Sequence, residues 1–120
     1  MPHPTQPVVV RIIPQGDFHW VQIEGAICDA GSDTVRDDVS HAMEKSQSPF
    51  LIDLQRVDYV SSAGVGVLVG LLKKARQRGS TLTICGLNSD LQELFALTQL
   101  DRVFTIATDA EAYVRSIPAR

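Results

Sequence analysis

Two cysteines, three histidines and one tryptophan in 120 residues leave little of the chemistry that metals and catalysis draw on. Cys28 and Cys85 stand far apart, with no CxxC spacing and no histidine beside either, so both read as small core residues. His3 lies in the opening stub, His19 in a predicted hairpin and His41 on a predicted helix, and none has an evident triad partner. No metal site, cofactor or catalytic residue is expected. A basic surplus is also missing. Lys and Arg number 11 against 14 Asp and Glu, a net charge of −3, which argues against nucleic acid as the main ligand, because phosphate backbones are held by basic faces. Lys73, Lys74, Arg76 and Arg78 do cluster, but at the end of a predicted helix, where cations offset the negative end of the dipole. Long hydrophobic runs are absent too: Val60 to Leu72, about 13 residues, holds two serines and three glycines, too short to span a bilayer. The start is polar and proline-rich, unlike a secretory signal. These absences predict one cytoplasmic domain, with no membrane segment.

What is present is a regular alternation of patterns. Residues 1–7, with Pro2, Pro4 and Pro7, predict a flexible tail, and 8–118 a single domain. Val8 to Ile13 is a β-branched run, closed by a Pro14-Gln15-Gly16-Asp17 turn, and Phe18 to Gly25 alternates as a second, antiparallel strand. From Ser32 the period changes: Val35, Val39, Ala42 and Met43 share one stripe of an amphipathic helix that Ser48-Pro49 stops. Phe50 to Leu54 reads as a central strand buried on both faces, followed by a link at Gln55 to Val60. A second helix runs from Ser62 to Gly79. Thr81 to Cys85 is a strand, and Ser89 with Gln92 resembles a capping box opening a third helix. Val103 to Ala107 and Asp109 to Ile117 complete the order ββαβαβαβα, an α/β fold with a mixed, mostly parallel sheet and about four helices.

The distinctive stretch is Tyr59-Val60-Ser61-Ser62-Ala63-Gly64-Val65-Gly66-Val67-Leu68-Val69-Gly70. It follows the central strand and opens the second helix, where partners of open α/β sheets tend to bind. Ser61 or Ser62 serves as N-cap, its oxygen accepting a first-turn N–H. The flanking small residues leave a hydroxyl accessible, and first-turn amides suit a phosphate. Three glycines destabilise a helix by roughly 0.8–1 kcal/mol each relative to alanine, so close packing or a close partner must offset them. The glycine spacing misses the dinucleotide fingerprint by one residue, and no lysine follows as in a P-loop.

Asp53-Leu54-x-x-Val57-Asp58-Tyr59-Val60-Ser61-Ser62-Ala63-Gly64-Val65-Gly66-Val67-Leu68 resembles the signature of STAS domains of the bacterial anti-sigma factor antagonist type, and the resemblance extends from Val8 to about Ile117. It implies a non-enzymatic switch protein. The unphosphorylated antagonist binds an anti-sigma factor that is itself a serine kinase of the histidine-kinase-like ATPase type. Phosphorylation of the helix-start serine releases it, and a PP2C-type phosphatase reverses the step. The phosphorylated serine falls on Ser62, with Ser61 as the alternate, and the partner face on Asp29, Ser61, Ser62, Ala63, Gly64, Val65 and Gly66. Two positions depart from the common pattern: Ser61 stands where an Asp often precedes the serine, and Ala26-Ile27-Cys28 replaces Glu-Leu-Asp, with Asp29 one place later. A non-switching scaffold subunit of a larger regulatory complex is the alternative role.

Overall fold

The computed structural model describes residues 7–117, so the tail expected at 1–7 lies outside the described residues apart from Pro7. The elements run β1 (Val9–Pro14), β2 (His19–Ile27), α1 (Ala30–Lys45), β3 (Phe50–Val60), α2 (Ser62–Gln77), β4 (Leu82–Cys85), α3 (Ser89–Leu97), a 3-10 turn (Leu100–Arg102), β5 (Thr105–Ala107) and α4 (Ala110–Ser116). The five strands lie in sequence order across one sheet. β1 pairs antiparallel with β2, and every other neighbour pair is parallel. This is the expected mixed α/β order.

Strand alternation divides the core in two. Val21, Ile23, Phe50, Ile52, Leu54, Leu82 and Ile84 pack with Val35, Val39 and Met43 of α1, Leu68, Leu71, Leu72 and Ala75 of α2, and Leu91 and Phe95 of α3. A smaller cluster joins Phe18, Leu51 and Cys85 to Tyr113 of α4. Beside it, the buried Asp53 accepts hydrogen bonds from Trp20 Nε1 and the Gln55 amide, each at 3.0 Å. Burial, then the charge and hydrogen bond of Asp53 and the charge of Asp109, push the Cys85 thiol up to about 12. Cys85 is therefore an inert core thiol, as expected, whereas Cys28 is only half-buried.

Several boundaries differ from the sequence reading. β3 does not stop at Leu54. It pairs with β4 only as far as Asp53 opposite Cys85, then continues with β2 alone to Val60. Gln55, Arg56 and Asp58 look like a link because one edge of this extension has no strand beside it and their side chains are exposed. β2 likewise runs past Gly25 to Ile27, with register shifts at Gln22/Glu24 and Gly25/Ala26. At roughly 3.3 Å per residue the extension carries the end of β3 about 23 Å along the strand from the last β3–β4 pair. α1 begins at Ala30, two residues before Ser32, and β5 begins at Thr105 because Leu100–Arg102 form a 3-10 turn. At α3 the cap is Asn88, whose Oδ1 accepts the Leu91 amide at 2.8 Å, while Gln92 Nε2 donates to the Leu87 carbonyl. The capping box expected at Ser89 and Gln92 does not form, since an asparagine one residue earlier already holds that amide.

Candidate functional site

Two helix starts meet at the tip of the β2–β3 extension. Val60 is the last residue of β3, and the chain turns directly into α2 through Ser61, which keeps extended backbone (φ −78°, ψ 173°). Its side chain is the N-cap: Oγ accepts the Gly64 amide at 3.1 Å. The same hydroxyl donates to the Ile27 carbonyl at 3.3 Å, and the Ser61 amide donates to that carbonyl at 3.0 Å. One carbonyl oxygen at the end of β2 thus ties the start of α2 to the loop that leads into α1.

Gly64 completes the junction. A Cβ there would lie 2.3 Å from the Ile27 carbonyl oxygen and 2.8 Å from Val60 Cγ1, so only glycine lets the first turn settle against the strand ends. Gly66 and Gly70 differ: an added Cβ meets no atom within 4 Å at either. Close internal packing therefore accounts for one of the three helix glycines and leaves two facing open space. A groove of about 390 Å³ runs along that side of α2, lined by Ala63, Gly66, Val67 and Gly70 and, from α1, by Arg36 and Ser40.

The adjacent serines are not equivalent. Ser61 is half-buried and engaged twice, whereas Ser62, the first residue of α2, is exposed, and no described residue accepts a hydrogen bond from its hydroxyl. Of the seven residues the sequence singled out, Ser62, Ala63 and Gly66 present exposed surface, as does Asp29 on the neighbouring loop; Ser61 and Val65 are half-buried and Gly64 is buried. The same tip gathers all of them.

Asp29 carries a feature invisible in the sequence. The Gly31 amide donates to the Cys28 carbonyl at 2.9 Å, closing a four-residue turn in which Asp29 takes φ 50° and ψ −129°. That is the first central position of a type II′ turn, which glycine ordinarily fills. Its carboxylate makes no cap to α1 and points its charge at solvent. Holding a side chain in this region costs of order 1–3 kcal/mol.

Of the two histidines among the described residues, neither lies at the tip. His19 is paired with Phe50 at the opposite end of β3 from Ser61 and is hydrogen-bonded to Ser48. His41 lies three turns along α1. Among the described residues no group of three or more His, Cys, Asp or Glu side chains is arranged to hold a metal, and no helix is long and apolar enough to cross a membrane.

Comparison with known proteins agrees with this fold. The BtrV protein of Bordetella bronchiseptica, provisionally named an anti-sigma factor antagonist, is 28% identical over 90 residues, covering 75% of this chain and 78% of its own. The crystal structure of an anti-sigma factor antagonist from Mycobacterium paratuberculosis superposes with a TM-score of 0.82 at 15% identity, over 92% of this chain and 93% of that one. The Bacillus cell fate determinant SpoIIAA in its phosphorylated form gives a TM-score of 0.70 at 15% identity, over 91% and 100%. At such identities the structural likeness speaks for the fold. The sequence profile of the STAS domain matches residues 10–112, most of the described chain, and this protein belongs to the STAS domain family.

Proposed function

We propose that this protein is an anti-sigma factor antagonist of a partner-switching circuit, with Ser62 as its phosphorylated residue. The observation that carries the proposal is the contrast at the tip: the hydroxyl of Ser61 is consumed as a cap, while that of Ser62 stands exposed on the first turn. The names of the relatives point the same way, and SpoIIAA, which shares the fold, has a phosphorylated form. In this reading the unphosphorylated tip, with Asp29, Ser62, Ala63 and Gly66 outermost, docks on an anti-sigma factor that is also a serine kinase of the histidine-kinase-like ATPase type. The chain acts as ligand and substrate, and a PP2C-type phosphatase restores it.

Phosphorylation would add roughly −1.5 to −2 charges and three strong acceptors. Within the chain that charge sits at a helix N-terminus, which favours anions, so the fold survives. At an interface built around a neutral hydroxyl it must be desolvated, and it joins the exposed carboxylate of Asp29 on the neighbouring loop. A hundredfold loss of affinity requires only about 2.8 kcal/mol. The test is intact-mass analysis and site mapping after incubation with ATP and each histidine-kinase-like serine kinase of the same cell. One phosphate on Ser62, absent in Ser62→Ala, is the expected result. Phosphate on Ser61, or none with any such kinase, overturns the assignment.

A further inference from the structure

We infer that Ser61 is a positioning residue, whose hydroxyl couples the Asp29 loop to Ser62 and so fixes the pair that the partner reads. The inference rests on the switch reading of Ser62 but concerns a different side chain. Ser61 Oγ accepts the Gly64 amide and donates its proton to the Ile27 carbonyl, while the Ser61 amide reaches the same oxygen. Ile27 stands two residues before Asp29, and Gly64 two residues after Ser62. A cap needs only the acceptor half of this arrangement. The donor half joins the end of β2, which leads into the Asp29 loop, to the start of α2. Serine and threonine supply both halves. Aspartate can accept the Gly64 amide but, ionised, has no proton for Ile27, and glycine supplies neither while remaining a tolerated N-cap.

Ser61→Gly, Ser61→Asp and Ser61→Thr in the full chain separate the two roles. Amide hydrogen exchange is read at Cys28 to Gly31 and at Ser62 to Val65, and kcat and KM are read for phosphorylation of Ser62 by the kinase that modifies the wild type. The expected result is exchange faster by about tenfold at Cys28 to Gly31 in both the Gly and Asp variants. KM should rise by about tenfold with kcat within about twofold, and Ser61→Thr should restore both readings. If Ser61→Asp keeps wild-type exchange at Cys28 to Gly31, or wild-type KM, Ser61 is a cap and nothing more, and the inference falls. A wild type that accepts no phosphate on Ser62 defeats the switch reading instead; the exchange experiment then still decides whether Ser61 couples the loops.

Discussion

The two helix starts at the tip are built on opposite terms. That of α2 is closed: a serine caps it, a glycine lets it touch the strand ends, and one carbonyl takes two hydrogen bonds from it. That of α1 is left open, with an aspartate in a conformation suited to glycine and no side-chain cap. Aspartate is among the best N-cap residues, so its failure to cap here is a matter of backbone geometry and not of residue type. The tight start holds a fixed platform, and the strained one holds a charge out from it. Strain retained beside exposed, unengaged groups is characteristic of sites shaped for a partner.

The comparison can be broken most forcefully at Gly64. Gly64→Ala places a methyl 2.3 Å from the Ile27 carbonyl oxygen, and should destabilise the fold by about 2–4 kcal/mol in urea unfolding as backbone must shift to admit it. A loss below about 0.5 kcal/mol would mean that the junction is not tight. Next in size is Asp29→Gly, which relieves the positive φ. It should stabilise the free protein by about 1 kcal/mol while weakening the anti-sigma complex; a variant that gains stability and binds unchanged would show that the strain serves no interface. Gly66→Ala has the smallest effect on the free chain. With no atom within 4 Å of the added methyl, it should gain about 0.5–1 kcal/mol from helix propensity alone. Weaker partner binding in that more stable variant would place Gly66 under the partner.

Much of this was legible in the sequence. The hairpin, the amphipathic helices and the buried run Phe50 to Leu54 declare themselves through period and β-branched composition, and Ser61-Ser62 stands out by its place between a buried strand and an apolar helix. What stayed hidden depended on distant contacts. The extension Gln55 to Val60 looks polar because one edge lacks a strand, and only its pairing with β2 makes it β structure. Gly64, Gly66 and Gly70 are alike as letters, and only the position of Ile27 separates the first from the other two. The roles of the two serines likewise turn on which hydroxyl reaches a carbonyl 34 positions back along the chain. Asp29 gave no local sign of its positive φ, since aspartate before Ala-Gly fits an ordinary helix start equally well.

The central claim is that one phosphate on Ser62 releases the partner without unfolding the tip. It is tested most directly by titrating the anti-sigma factor with wild-type protein, unmodified and stoichiometrically phosphorylated on Ser62, in parallel with their thermal unfolding. The account predicts at least a hundredfold weaker binding of the phosphorylated form, about 2.8 kcal/mol, with the unfolding temperature unchanged or slightly raised. Equal affinity for the two forms, or a phosphorylated form that binds weakly because it has unfolded, would contradict it.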